Sequence, residues 1–574
     1  MFLIVKRIHK ASFYIFFLFS LILVFLSSCL HSNDHLQISA EALNKSTHER
    51  EKTSLSIGTN LFSITDWSTE MPFIDAFKSS RPWITQCLDN EPGCRGVWDT
   101  GEYEQIKLDK FGWVKSLPQP EDAPEYTRVS TLLFRDIVDY PEGKYVVLYE
   151  GEGNIEYQYD AQKIVAESTP GRDVIIVNPS PRGIYLSITA TDPNNNGNYL
   201  RNIHLVPENQ EKTYQDQIFN QQFLDKLGNF STLRFMDWMG TNDSQQSRWQ
   251  NRPQQETYSY HHKLGGVPIE TMLKLANYVD ANPWFNIPHQ ATDEYIRNFA
   301  WLVKSILKPD LKVYVEYSNE VWNNIFPQGK WIEKQGLEEW QNNSESNYAK
   351  RMNWYGKRTA QICDIWKKEF GDQSERVICT LGSQAANEWT ANQALDCQLW
   401  SQGSCQEHGI DTLAIAPYFG SYIGKKKYEQ EVQNWTVDQL FIELNQGGVL
   451  SESPRGGAIK KAIDNMRNNW QVAQSRNLQL ITYEGGQHLV GNGGVENNSV
   501  INDLFIAANR DWRMYDTYLS YLNQLQQVGG KLFMNWLDIG AYSKWGSWGA
   551  LEHLNQESAP KYDALIDFIN NNNG

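Results

Sequence analysis

Eight short apolar runs, most of them separated by amphipathic helical patterns, constrain this 574-residue chain more than any other feature. They are "SLSIGTNL" (54–61), "STLRFMDW" (231–238), "PWFNIPHQ" (283–290) and "KVYVEYSNE" (312–320), then "RVICTLGSQ" (376–384), "DTLAIAPYFG" (411–420), "LQLITYEGGQ" (478–487) and "KLFMNWLDIG" (531–540). Helical segments such as "PIETMLKLANYVDAN", "DEYIRNFAWLVKSIL" and "NYAKRMNWYGKRTAQICDIWKKEF" fill the intervals. Strand and helix in alternation, with strands that are apolar nearly throughout, predict a parallel sheet covered by helices. Eight such units predict an α/β fold, a closed (β/α)8 TIM barrel.

The interval between the first and second runs has a different texture. "GKYVVLYEGEGNIEYQYD", "DVIIVNPS" and "GIYLSITATD" are β-rich and broken by Gly, Pro and Asn turns. This pattern predicts an antiparallel β-sandwich module over 103–207, inserted between barrel strands one and two. The barrel would then occupy 53–102 and 208–574. Within the module Glu150, Glu152 and Glu156 read either as a solvated β surface or as a cation site.

Residues 1–28 stand outside the fold. Lys6, Arg7 and Lys10 precede the apolar stretch 11–26, the arrangement of a secretory signal. The stretch ends in Leu26-Ser27-Ser28-Cys29, which resembles the lipobox of bacterial lipoproteins and implies a lipid-anchored Cys29. Leu30 in place of Asp after that Cys implies the outer membrane, and 29–52 reads as a polar tether. Without residues 1–28 the formal charge of −16 becomes about −19, which argues against nucleic acid as a partner. Six cysteines follow Cys29, an even number in an exported chain. Proximity pairs Cys87 with Cys94 and Cys397 with Cys405, leaving Cys363 with Cys379. Their spacing lacks a zinc pattern, and no metal or cofactor is expected.

In a barrel of this kind the chemistry sits where strands end. Strand four ends in Ser318-Asn319-Glu320 and strand seven in Glu484-Gly485-Gly486. A carboxyl pair across one barrel mouth suits glycoside hydrolysis, with one acid protonating the leaving oxygen and the other attacking the anomeric carbon. If the enzyme is retaining, the carboxyls lie ~5–5.5 Å apart. Glu484 has a second reading, as an acid placed at a helix start.

On these residues the barrel portion resembles clan A of the glycoside hydrolases. There an Asn precedes the acid/base Glu, matching Asn319-Glu320, and the nucleophile ends strand seven, matching Glu484. The resemblance implies that Asn319 binds the sugar, that Arg234 and Tyr418 position the nucleophile, and that Trp536 forms a platform for the sugar. Glu316, four residues before Glu320, matches a structural barrel residue of the clan. Val321 follows Glu320 where the clan usually has Pro, so the resemblance stops at the clan. Arg234 has an alternative as partner of Asp237, and His289 and His488 read either as sugar ligands or as hydrogen-bonded structural residues. The implied activity is retaining cleavage of a β-linked oligo- or polysaccharide. The alternative is a non-catalytic glycan-binding lipoprotein on a degenerate barrel.

Overall fold

The computed structural model describes residues 54–88, 94, 97–118 and 125–572. The signal segment, the tether and Cys29 lie outside the described residues, and no described helix is long and apolar enough to cross a membrane.

Each of the eight apolar runs contains one strand of a single parallel sheet. In chain order these strands are Ser56–Asn60, Thr232–Arg234, Asn282–Ile287, Val313–Tyr317, Val377–Gly382, Thr412–Ile415, Gln479–Thr482 and Leu532–Asn535. Each pairs with the next from the first to the seventh, and the first also pairs with the eighth. The remaining seam is crossed by Lys531 N donating to Leu480 O at 3.1 Å and Met534 N donating to Thr482 Oγ1 at 2.9 Å. The barrel is therefore nearly closed, as the alternation predicts.

Burial explains the apolar runs. Thr412–Ile415 and Leu532–Asn535 are buried at every residue, because one face meets the barrel interior and the other meets the helices. The helix Asp293–Ile306 turns Tyr295, Ile296, Phe299, Ala300 and Val303 inward, a helical stripe. Its start is set by Thr292, whose hydroxyl accepts from Tyr295 N at 3.2 Å. Such helices return the chain to the far end of the barrel, so the loops after the strands gather on one face.

Between barrel strands one and two lie two four-stranded antiparallel sheets. One orders Ile84–Gln86, Arg128–Leu133, Ile184–Thr191 and Gly153–Tyr159; the other orders Arg201–Pro207, Gly143–Glu150, Arg172–Val177 and Ala161–Lys163. A shared apolar cluster takes Val129, Ile155 and Leu186 from the first sheet and Val147, Ile175 and Leu205 from the second. Antiparallel pairing begins at Ile84, ahead of residue 103, because a three-residue strand carries no readable alternation. The sheets also join the barrel loops: Tyr258, from the segment after barrel strand two, enters their core and stacks on Trp83 at 5.2 Å and 14°. Glu150 pairs with Arg201 at 3.1 Å and Glu156 with Arg128 at 3.2 Å, while Glu152 accepts from Asn194 at 2.7 Å. These acids are engaged by the sheet's own neighbours. Among the described residues no group of three or more His, Cys, Asp or Glu could hold a metal ion.

Two of the three cysteine pairings are present, Cys87–Cys94 and Cys397–Cys405. The third is corrected: Cys363, on the helix Asn347–Phe370, and Cys379, on barrel strand five, are buried free thiols. They were paired by elimination, which carries no geometric information. Burial pushes the Cys363 thiol well up, and the Cys379 thiol beside it adds to the shift, so Cys363 stays in its unreactive form. With Cys29 replaced by Ser, a thiol-reactive dye should label nothing in the folded protein and two thiols after denaturation without reductant. Labelling of none after denaturation would mean a third disulfide.

Candidate active site

Barrel strand four stops at Tyr317, and the backbone then kinks twice. Ser318 has φ 60° and Glu320 φ 42°, both left-handed for residues with side chains. Such conformations cost ~1–3 kcal/mol each and persist only where the surroundings over-determine them. Here Ser318 N donates to Ile287 O at 2.9 Å, Asn286 Nδ2 donates to Ser318 O at 2.7 Å, and Gln328 Nε2 donates to Asn319 O at 3.0 Å. The kinks break the period of two, so that Asn319 and Glu320 both reach groups at the mouth.

Arg234 ends strand two with its side chain fully buried. Its Nε and Nη2 donate to Glu316 Oε2 at 3.2 and 2.9 Å, and Nη2 also to Asn319 Oδ1 at 3.0 Å. Its Nη1 donates to Asn60 Oδ1 at 3.0 Å and to Glu484 Oε1 at 2.9 Å. The ion-pair partners of Arg234 are thus Glu316 and Glu484 instead of Asp237. Glu316 is held in turn by Trp284 Nε1 at 2.9 Å and Asn286 Nδ2 at 2.7 Å.

Glu484 lies past the end of strand seven, where two glycines let the chain pass close to its neighbours. A Cβ on Gly485 would meet the Phe533 ring at 2.5 Å, and Gly486 has φ +122°. The second oxygen of Glu484 accepts from Tyr418 OH at 3.0 Å. Tyr483, one residue earlier, donates its OH to Glu320 Oε1 at 3.0 Å, and Asn323 Nδ2 donates to Glu320 Oε2 at 3.1 Å. Neither Tyr483 nor Asn323 was singled out by sequence. The adjacency of Tyr483 to Glu484 was the available signal, but strand alternation would have aimed it the other way.

Burial dominates the electrostatics. It pushes Glu484 up to about 8, against the pull of the Arg234 guanidinium and the Tyr418 hydroxyl, with the Glu320 charge adding to the rise. Glu320 is raised by the same cause, opposed by hydrogen bonds from Asn323 and Tyr483. Asp237 is pushed up to about 7 by burial.

The remaining candidates divide. Trp536 is buried with Met236 and Leu537, and Phe62, Tyr418 and Trp548 pack against that cluster. His488 meets the Tyr418 ring at 5.4 Å and the Trp548 ring at 5.0 Å, and burial lowers it to about 4. His289 sits apart, edge-on to Trp331 at 5.4 Å, also lowered by burial to about 4. Four of the predicted residues, Arg234, Asn319, Tyr418 and Glu484, thus make one hydrogen-bonded constellation, and Glu320 is tied beside it through Tyr483, the residue before Glu484.

No family model matches the sequence, and a search of curated proteins finds no match. Among solved structures, the chain is similar to a GH5 cellulase from a Bacteroidetes-affiliated source, with 10% identity, covering 61% of this chain and 86% of that one at a TM-score of 0.33. It is also similar to a GH5-4 broad specificity endoglucanase from Clostridium acetobutylicum, with 11% identity over 61% of this chain and 89% of that one, TM-score 0.32. A double mutant of the β-glucosidase from Trichoderma harzianum aligns with 11% identity over 61% and 86% of the two chains, TM-score 0.34. The geometry of the carboxyl cluster carries the functional reading.

Replacing Arg234 by Met would leave Glu316 and Glu484 buried without their counter-charge. Urea denaturation should show a loss of about 3–5 kcal/mol, the usual cost of breaking a buried ion pair from one side. A loss within 1 kcal/mol would show that the two carboxyls carry no charge in the fold.

Proposed function

We propose that the protein is a retaining glycoside hydrolase that cleaves a β-linked oligo- or polysaccharide, exported and lipid-anchored through Cys29 at the outer membrane. The observation that carries the activity is the asymmetry of the two glutamates. Glu484 alone accepts from the Arg234 guanidinium, while Glu320 accepts only from neutral donors.

The first step places the Glu484 carboxylate on the anomeric carbon. Its electron pair forms the new C–O bond as the glycosidic bond breaks, and the Glu320 proton goes to the departing oxygen. The second step reverses the roles. Glu320, now a carboxylate, takes a proton from water, whose oxygen attacks the anomeric carbon and releases Glu484. Asn319, oriented by Arg234, would contact the sugar, and Trp536 would form its platform.

Glu484→Ala should abolish turnover of an activated aryl glycoside. Glu320→Ala should cut kcat on a poor leaving group by orders of magnitude and be rescued by azide with a glycosyl azide product. Full activity in either variant would sink the assignment.

The pH dependence follows from the same contacts. The profile of kcat/KM should be bell-shaped, with an acidic limb set by Glu484 and lying nearer neutrality than an ordinary carboxyl because burial raises it. Tyr418 stabilises the charged form of Glu484, so Tyr418→Phe should move the acidic limb to higher pH. A shift to lower pH, or none, would contradict that role.

A further inference from the structure

We propose that Trp389 and Tyr348 form a stacking platform for the leaving-group side of a neutral glycan, so that the enzyme cuts within chains. The inference rests on the proposed role of Glu320 as the acid. The oxygen that Glu320 protonates belongs to the departing sugar, so sugars on that side extend from Glu320 toward the loops after barrel strands four and five.

A connected run of side chains leads there. Val321, next to Glu320, presents its carbonyl to Arg351 Nε at 2.6 Å, and Arg351 Nη2 donates to the same oxygen. The buried Arg351 guanidinium lies 5.8 Å from the centre of the Tyr348 ring. Tyr348 stacks on Trp389 with centroids 5.4 Å apart and planes 14° from parallel. Trp389 is 39% exposed.

The fold puts both rings on the mouth face. Tyr348 is the second residue of Asn347–Phe370, the helix that runs back from the mouth toward the start of strand five. Trp389 is the second residue of Glu388–Asp396, which follows the end of strand five. Trp389, backed by the half-buried Tyr348 ring stacked on it, offers a flat apolar face against which a sugar ring packs its C–H groups. Exposure alone would not single it out, since Trp301 is 58% exposed on the outer helix Asp293–Ile306. The link through Arg351 to Val321 does. On the Glu484 side Phe62, Tyr418 and Trp548, all partly buried, pack against the buried Trp536. Aromatic side chains on either side of the carboxyl pair suit a chain that continues in both directions. The net charge of −16 favours an uncharged polymer over a sulfated or uronate-rich one.

The test compares kcat/KM on soluble neutral β-glucan, xylan and mannan with kcat/KM on the matching aryl glycosides. In Trp389→Ala the ratio of polymer to aryl glycoside should fall about ten-fold, the size of one lost stacking contact. Trp389→Phe should recover most of it, and Trp301→Ala should keep the wild-type ratio. A ratio unmoved in Trp389→Ala, or lowered equally in Trp301→Ala, overturns the platform. Affinity electrophoresis of Glu484→Ala in gels containing the same polymers separates this from failure of the hydrolase reading. If wild-type protein cleaves nothing but a polymer retards Glu484→Ala, and Trp389→Ala on that background abolishes the retardation, the rings bind glycan, while the hydrolase reading falls and the leaving-group assignment with it. If nothing is cleaved and no polymer retards the protein, both fall.

Discussion

One buried guanidinium holds the mouth of this barrel together. Arg234 has five N–H groups, and its five hydrogen bonds reach Asn60 at the end of strand one, Glu316 and Asn319 on and after strand four, and Glu484 after strand seven. Through Glu316 the network extends to Trp284 and Asn286 on strand three. A cation this deep is tolerable only beside carboxylates, because desolvation would otherwise exceed anything the fold contributes. The carboxylates are equally dependent on it. The strained backbone at Ser318 and Glu320 belongs to the same arrangement, since Arg234 engages the Asn319 side chain between the two kinks.

What the sequence made legible was what repeats or ends abruptly. The eight barrel strands were readable because each is buried on both sides and sits in a largely apolar run, most of them flanked by helical patterns. The strand-end places of Glu320 and Glu484 were readable because each carboxylate follows directly on such a run. Partners supplied from a distance were not: nothing marks Asn60 and Tyr483 as partners until the barrel closes and brings them to Arg234 and Glu320. Ile84–Gln86 escaped for a related reason, since three residues of strand have no period and their identity comes from pairing with Arg128–Leu133. The cysteines show the limit most plainly. Proximity worked for separations of 7 and 8 residues, where chain connectivity favours closure, and failed for Cys363 and Cys379, where only the packing of helix on strand decides.

The aromatic richness of the chain sorts by depth in the same way. Trp113, Trp238, Trp284 and Trp366 are fully buried and fill the cores of the barrel and the antiparallel sheets. A smaller set, including Tyr418, Trp548, Tyr348 and Trp389, is half-buried or exposed near the mouth. Because the antiparallel sheets leave the chain at the end of strand one, they arise on this same face, and Tyr258 ties their core to the segment after strand two. The insertion is thereby fixed to the mouth by packing as well as by the chain.

Burial raises both glutamates, Glu484 as far as about 8, and their neighbours act against it in different ways. Arg234 carries one positive charge and touches two carboxyls, Glu316 and Glu484. With Glu316 as its standing counter-charge, ionisation of Glu484 brings the cluster to one net negative, and ionisation of Glu320 as well would bring it to two in a site from which water is largely excluded. The pair therefore holds one proton over the pH range between its two macroscopic ionisations. Arg234 and Tyr418 favour the charged form of Glu484 and neither donates to Glu320, while burial, which pushes Glu484 up to about 8, works against them. The proposed assignment of acid and nucleophile rests on the position of one cation, since the strand-end geometry that places Arg234 against Glu484 makes the two chemically similar residues unequal.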